Sequence, residues 1–120
     1  MNRWRTVEAG AEVPRRLRCA RHVNQIGGGD TELKSIVLQE LTEAGIPARI
    51  ATNPQLDGSD PFNICNRTKS GAGVQLEMGT AFRASLFAPG CNTRELRKNN
   101  TNAEFSKLVE ALRKALSQVN

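Results

Sequence analysis

Residues 63–77 read Asn-Ile-Cys-Asn-Arg-Thr-Lys-Ser-Gly-Ala-Gly-Val-Gln-Leu-Glu, and the rest of the chain is organised around this stretch. A polar loop with two asparagines, an arginine and a lysine leads through Gly-Ala-Gly into a short run of alternating apolar and polar residues. Because successive side chains of a strand point to opposite faces, Gln75 and Glu77 are expected on one face and Val74, Leu76 and Met78 on the other. A strand-borne carboxylate after such a loop indicates an anion-binding or hydrolytic site, and a plain strand with a solvated glutamate is the alternative.

The residues before this stretch predict a strand, a helix and a second strand. Residues 23–26 form the first strand, three glycines make a tight turn, and Asp30 caps a helix that runs to about Ala44. Gly45 ends the helix and residues 46–52 form the second strand. A short strand-helix-strand unit predicts two parallel strands, and ligands of such sheets bind at the carboxyl ends of the strands.

The later residues predict a third strand and a covering helix. The loop at 63–69 is expected near the carboxyl ends of the strands if the third strand, at 73–78, is adjacent. Residues 79–87 form a short helix or an extended segment, and residues 91–100 form an exposed loop. The spacing of residues 101–104 is typical of a capping box. The helix that follows has one apolar face, made of Phe105, Leu108, Val109, Leu112 and Leu116.

The positive charge of the chain is concentrated at its start. The 120 residues have a net charge of +5, but residues 1–21 alone hold six arginines against two glutamates. Residues 1–22 are therefore expected to be a basic, poorly ordered segment, and residues 23–120 a single domain. A basic tail can contact phosphates, although a solvated tail without a partner is the plainer interpretation. Aromatic residues make up only 4% of the chain, which argues against a base-stacking nucleic-acid surface.

Several other classes of protein are not supported by the sequence. No apolar run approaches the roughly 20 residues of a membrane helix, and no signal segment opens the chain, so a cytoplasmic location without membrane contact is expected. Cys19, Cys65 and Cys91 are too few and too widely spaced for a disulfide framework or a zinc pair, and they are expected to be reduced. Asp30 follows the glycine turn and would repel phosphate, so a dinucleotide site is not expected.

The central stretch resembles the poly-γ-glutamate hydrolase family of phages and bacteria. The resemblance rests on Asn-Ile-Cys-Asn-Arg, on Ser-Gly-Ala-Gly-Val-Gln-Leu-Glu and on Phe-Arg-Ala-Ser-Leu-Phe at residues 82–87. It extends back to the glycines before Asp30 and forward into the last helix, and so covers roughly residues 23–118. It implies an α/β fold with a partial mixed or parallel sheet flanked by helices, similar to the C-terminal half of a zinc carboxypeptidase-like fold.

The resemblance also assigns roles to individual residues. Asn66 and Arg67 match an Asn-Arg pair that binds substrate, and Glu77 matches a catalytic carboxylate on a strand. Arg83 is a further substrate-binding candidate, and Lys69 adds charge for a polyanion. A glycine-hinged bend is expected to set the Arg67 guanidinium and the Glu77 carboxylate a few ångströms apart. The implied substrate is a polyanion such as poly-γ-glutamate, whose carboxylates suit the guanidinium of Arg67.

The resemblance implies zinc, but the ligands of a zinc site are not identifiable. A hydrolytic zinc normally takes three protein ligands, and the only histidine of this chain is His22, in the unmatched basic segment. No residue is therefore assigned to metal. The sequence predicts a fragment of a hydrolase that is weak or inactive alone, with an N-terminal half on another chain as a candidate partner. The alternative is a non-catalytic module that binds poly-γ-glutamate or nucleic acid.

Overall fold

The computed structural model describes residues 23–55 and 57–119, and it begins with a strand-helix-strand unit. Strand β1 spans Asn24–Gly27, helix α1 spans Thr31–Glu43 and strand β2 spans Ala48–Ile50. β1 and β2 are parallel, as the short connection through α1 predicts. The predicted basic segment at the start of the chain lies outside the described residues.

The two ends of α1 follow from local sequence. Asp30 caps the helix, because its Oδ1 accepts a hydrogen bond of 2.9 Å from the backbone N–H of Leu33. Gly45 follows the helix with a φ of 78°, a left-handed conformation that glycine adopts without steric cost. The predicted start and stop of α1 are therefore both confirmed.

The third strand completes a mixed sheet. Strand β3 spans Gln75–Glu77 and pairs antiparallel with β1, so the strand order is β2-β1-β3. Ile26 is the centre of the sheet, with Ile50 beside it on β2 and Leu76 beside it on β3. The predicted α/β fold with a partial mixed sheet is confirmed.

The remaining elements are two helices and two single turns. Helix α2 spans Thr80–Ala84 and helix α3 spans Ala103–Leu116. The single 3-10 turns are Ile64–Asn66, inside the central stretch, and Arg97–Asn99, before α3. None of the described helices is long and apolar enough to cross a membrane.

The core lies on one face of the sheet, which we call the helix face. It is defined by Ile26 and its neighbours Ile50 and Leu76, which pack against α1 and α3. The buried core residues come from β1, the three helices and their connections. They are Ile26, Val37, Leu41, Ile46, Phe82, Leu86, Leu108, Ala111 and Ala115. The opposite face, which we call the open face, carries the side chains of Gln25, Arg49 and Glu77.

Both outer strands are shorter than predicted. The second was expected over residues 46–52, but the N–H of Ile46 donates to Leu41 O at 2.9 Å and so still belongs to the end of α1. The third was expected over residues 73–78, but the backbone of Gly73 bonds to the turn after β1 rather than to the sheet. The alternation of apolar and polar residues therefore predicts correctly which side chains share a face of the sheet. It overestimates how many residues of each strand are hydrogen-bonded to β1.

Two expectations about the last helix are wrong. Asn102 caps α3, with Oδ1 accepting from Phe105 N at 3.1 Å, whereas the capping-box spacing had indicated Thr101. Thr101 instead forms an isolated antiparallel bridge with Phe87, which holds its backbone outside the helix. Leu116 was expected on the covered face but is exposed, because it lies in the last turn, beyond the buried Ala115.

Candidate functional site

The loops beyond the carboxyl end of β1 converge on the side chain of Asn66. This residue ends a single 3-10 turn, which Asn63 caps by accepting from Cys65 N at 2.9 Å. Asn66 is only 4% exposed, although its neighbour Ile64 is among the most exposed large apolar side chains. A buried amide costs free energy unless its polar atoms are all hydrogen-bonded, so its partners decide its role.

The Asn66 amide uses its whole hydrogen-bonding capacity inside the protein. Its Oδ1 accepts from Gly29 N at 2.8 Å and from Gly73 N at 2.9 Å. Its Nδ2 donates to Gly58 O at 2.6 Å and to Asp60 O at 3.0 Å. Two lone pairs and two N–H groups are all that an asparagine amide offers. Asn66 therefore ties three loops together and has no donor or acceptor left for a ligand in this arrangement.

Glycines let these loops approach backbone to backbone. A Cβ at Gly73 would overlap the carbonyl of Cys65, and a Cβ at Gly28 would overlap the carbonyl of Gly73. The same Gly73 carbonyl accepts from Asp30 N at 3.0 Å. The turn after β1 and the entry to β3 are therefore in direct contact. The glycines at residues 27–29 and 71–73 do not reveal this contact in the sequence.

The loop at 57–59 packs against the end of β1 and beside the Gln75 side chain of β3. Gly28 N donates to Asp57 O at 2.7 Å, which holds this loop against the end of β1. Asp57 Oδ1 accepts from Ser59 N at 3.0 Å and from Ser59 Oγ at 2.8 Å. These two hydrogen bonds, the backbone one first, hold the pKa of Asp57 below its ordinary value of 3.8.

Arg67 and Lys69 lie on the solvent side of the Asn66 cluster. Both are exposed, and the Arg67 guanidinium makes no hydrogen bond or ion pair with any residue in the described ranges. The backbone of Arg67 is held by a hydrogen bond of 3.1 Å from its N–H to Ile64 O. The rigid turn thus presents a free planar cation to solution, which suits a carboxylate.

Glu77 lies on the open face, away from Arg67. It pairs with Gln25, whereas Gln75 pairs with Gly27 at the carboxyl end of β1. Glu77 is four positions after Gly73, which at the rise of a strand is about 13 Å along the chain. No ion pair joins Arg67 and Glu77 among the described residues, so the expected spacing of a few ångströms is not seen.

Arg83 lies in a third place. It is exposed on α2, where its Nη2 lies 3.3 Å from Thr80 Oγ1. It lines an open groove of about 460 Å³ together with Arg97 and residues of α3, including Phe105. No ion pair joins Arg83 to Glu77 among the described residues, and the substrate-binding role of Arg83 stays a prediction.

Sequence reasoning missed two residues that lie beside Glu77. Gln25 of β1 is the cross-strand neighbour of both Glu77 on β3 and Arg49 on β2. The three side chains therefore form one row across the open face. Period-two alternation places each of them on the polar side of its own strand, but only the register of the sheet aligns them.

The described residues do not form a zinc site. Between residues 23 and 119, leaving aside position 56, no group of three or more His, Cys, Asp or Glu side chains could hold a metal ion. His22 lies outside the described residues, so the assignment of no metal ligand in this chain stays a prediction. Cys65 and Cys91 are both free thiols, as expected.

The fold and the polar open face place the chain in an α/β class with a mixed three-stranded sheet, seen here as part of a larger fold. A family model described as poly-gamma-glutamate hydrolase matches residues 18–111, and the chain belongs to that family. A solved bacteriophage poly-gamma-glutamate hydrolase is similar over 79% of this chain and 45% of its own, with 36% identity and a TM-score of 0.74. A solved zinc-free apo form of YndL gives 31% identity and a TM-score of 0.73, over 80% of this chain and 47% of its own.

Two curated relatives come from Bacillus subtilis strain 168. The UPF0714 protein YndL is 33% identical over 71% of this chain and 34% of its own length. The SPbeta prophage-derived protein YoqZ is 30% identical over 78% of this chain and 34% of its own length. The chain thus spans about a third of the length of these relatives.

Proposed function

We propose that the chain acts on γ-glutamyl amide bonds as one part of a poly-γ-glutamate hydrolase, with little or no activity by itself. The observation that carries this proposal is the 36% identity, with a TM-score of 0.74, to a bacteriophage poly-gamma-glutamate hydrolase. The backbone of the present chain is similar to that of the solved enzyme over 79% of its own length and 45% of the enzyme's. The substrate would be a polyanion with a carboxylate on every residue.

Glu77 is the proposed general base and acid. Its exposed carboxylate has no hydrogen-bond or ion-pair partner in the described part of the chain, so a water molecule can approach it directly. It would take a proton from water as the water oxygen attacks the amide carbon, and would return that proton to the leaving nitrogen as the C–N bond breaks. The products are a new carboxylic acid and a new amine.

Arg67 is the proposed substrate cation, and Lys69 adds positive charge beside it. The support is the free guanidinium of Arg67 on a turn that Asn66 holds rigid. A rigid mount lowers the entropy lost when the side chain binds a carboxylate. Asn66 was expected to contact substrate itself; its buried, fully bonded amide supports an indirect role through the position of Arg67.

Zinc remains part of the proposal only as an expectation from the family. The described residues do not supply a donor set that fits zinc, so no step is assigned to the metal. We propose that the ligands come from outside the described residues, with an N-terminal half on another chain as the candidate partner. In the described sheet β2 and β3 each pair only with β1, which leaves edges on which a partner could add strands. The cytoplasmic location expected from the sequence stays a prediction.

The test is release of glutamate oligomers from poly-γ-glutamate by the 120-residue chain with added zinc. Loss of a general base typically lowers the rate by about 10² to 10⁴, so Glu77→Gln should abolish any measurable release. Glu110→Gln is the matched control, because Glu110 is an exposed carboxylate on α3, far along the chain from the open face. Equal and measurable release by the Glu77→Gln and Glu110→Gln variants would reject Glu77 as the base. No release by the wild type at high protein concentration would reject hydrolysis by this chain alone.

A second candidate function is a module that binds polyanions without cleaving them. The observation that favours it is the lack of a fitting metal donor set among the described residues, beside the exposed cations Arg67 and Lys69. This function predicts binding of poly-γ-glutamate that weakens as salt rises, with no release of oligomers at high protein concentration. Binding of nucleic acid at least as tight as that of poly-γ-glutamate would contradict the choice of polyanion.

A further inference from the structure

The open face carries a charge pattern that the proposed function has not used. Arg49, Gln25 and Glu77 form one row, in which a cation and an anion lie on the two outer strands and an amide lies between them. Neighbouring strands are about 4.8 Å apart, so the Cα atoms of Arg49 and Glu77 are roughly 10 Å apart. Arg49 and Glu77 are exposed and Gln25 is half-buried, so the row is open to a ligand from solution.

Gln25 holds the Arg49 guanidinium by one side only. With its amide oxygen oriented toward Arg49, Gln25 Oε1 accepts from Nε at 2.9 Å and from Nη2 at 3.0 Å. These bonds occupy one edge of the planar group. The other edge, formed by Nη1 and the second N–H of Nη2, makes no hydrogen bond or ion pair within the described residues. That free edge has the geometry that binds both oxygens of a carboxylate.

The hydrogen bonds to Gln25 also bring the Arg49 guanidinium closer to Glu77. An unrestrained arginine on an edge strand would extend into water in many rotamers, and holding it costs side-chain entropy. Here the hydrogen bonds to Gln25 hold the guanidinium beside the central strand β1, and the same Gln25 is the cross-strand neighbour of Glu77 on β3. A ligand carboxylate on Arg49 would therefore have its neighbouring atoms within reach of the Glu77 carboxylate.

We propose that Arg49, positioned by Gln25, binds the α-carboxylate that lies next to the scissile amide of a γ-glutamyl chain. This inference rests on the proposed function of Glu77 and names a substrate contact of the same site. In a γ-linked chain the carbon attached to the amide nitrogen also carries the α-carboxylate, so the anion and the reacting bond are separated by a single carbon. In an α-linked chain the free carboxylate is at the end of the side chain, three carbons from the backbone nitrogen. The row therefore favours γ-linked over α-linked glutamate.

The experiment measures binding of two synthetic probes, γ-linked and α-linked tetraglutamate, to the full 120-residue chain by isothermal titration calorimetry. The perturbing variant is Arg49→Gln. The matched control is Arg94→Gln, which removes the same charge from an exposed arginine outside the row. Loss of a charge-assisted bidentate contact should weaken the γ-linked probe about tenfold or more in Arg49→Gln, and the control should change less than about twofold. Wild-type protein should prefer the γ-linked probe.

Two further measurements separate a binding role from a structural one. Gln25→Ala keeps the Arg49 charge but removes the hydrogen bonds that position its guanidinium. It should therefore weaken binding of the γ-linked probe while leaving the salt dependence of that binding unchanged. Compared with Arg49→Gln, the Arg49→Lys variant should regain the salt dependence of binding, because it regains the charge. It should not regain the preference for the γ linkage, because an ammonium lacks the planar fork. In NMR spectra of the wild-type protein, the Nη–H signals of Arg49 should shift when the γ-linked probe is added, because these groups form the free edge. This measurement needs no variant to fold.

The outcomes distinguish this inference from the function on which it rests. If the wild type binds the γ-linked probe and Arg49→Gln binds it as tightly as Arg94→Gln does, the Arg49 site is rejected and the proposed function stands. Unshifted Arg49 Nη–H signals in the bound protein lead to the same rejection. If the wild type binds neither probe, the proposed function and the Arg49 site both fail.

Discussion

Replacing Asn66 by Asp tests whether the hydrogen bonds of this side chain hold the three loops together. The two side chains have nearly the same shape, so packing is preserved and only hydrogen bonding changes. The Nδ2 group that donates to Gly58 O and Asp60 O becomes a carboxylate oxygen, which faces two carbonyls and repels them. The N–H groups of Gly29 and Gly73 keep their acceptor.

The size of the effect follows from these partners. Gly58 is buried, so without Asn66 its carbonyl keeps, among the described residues, only the weak 3.8 Å contact from Cys65 Sγ, at a cost of about 1–3 kcal/mol. Asp60 is exposed and water can replace its bond, at a cost of about 0.5–1.5 kcal/mol. Stronger bonds from the two N–H groups to a carboxylate offset part of this loss. We expect a net loss of about 2 kcal/mol at pH 7, or roughly 10 °C in Tm.

Urea unfolding followed by circular dichroism measures this loss. Asn63→Asp is the matched control, because within the described residues the Asn63 side chain bonds only through its Oδ1, as an acceptor from Cys65 N, and Asp caps equally well. The control should change stability by less than about 0.5 kcal/mol. The Asn66→Asp deficit should shrink as the pH falls, because a protonated carboxyl can again donate to one carbonyl.

Equal stability of the two variants at pH 7 would refute the role of Asn66 in holding the three loops together. A deficit that does not depend on pH would point instead to a packing effect and would contradict the hydrogen-bonding account. A normal stability with lost binding of γ-linked glutamate would return Asn66 to the substrate-binding role that the sequence first suggested.

Two further predictions concern the same loops. Gly73→Ala should lower the free energy of unfolding in urea by at least about 2 kcal/mol, because its Cβ would overlap the Cys65 carbonyl. Gly71→Ala should lower it by about 1 kcal/mol, because Gly71 lies in open space but has a φ of 82°. Equal losses would contradict the close approach of Gly73 to Cys65. Ser59→Ala should raise the pKa of Asp57 toward 3.8 in a carbon-13 NMR titration. The lowered pKa stabilises the native state above the ordinary value and this contribution disappears as the pH falls through the lowered one, so wild type and variant should converge in acid. A pKa of Asp57 that is the same in both would exclude Ser59 as the cause.

Local patterns predicted the elements of this protein well where the decisive contacts are close in sequence. The cap at Asp30 and the stop at Gly45 depend on residues within one turn of helix, so the sequence shows them directly. The faces of β3 follow from alternation alone. The capping of α3 was misplaced by one residue, because the competing bridge of Thr101 with Phe87 joins residues 14 positions apart.

The site was harder to predict, because its contacts are long-range. Asn66 could be singled out from the sequence as an unusual residue, but its role depends on partners as far away as Gly29, 37 residues earlier. The Asn66–Arg67 pair was read as one substrate-binding unit, yet the structure buries the amide and exposes the guanidinium. No local pattern distinguishes these two outcomes.

The sequence by itself determined the family, the order of strands and helices, and the polar or apolar side of each strand, because these follow from periodicity, caps and a distinctive run of residues. Only the tertiary structure decided the register of the sheet. Pairing Gln25 with both Arg49 and Glu77 is a matter of which residues of three separated strands lie opposite one another, and a shift of one residue would turn each side chain to the other face. The row on the open face therefore exists only in the folded chain.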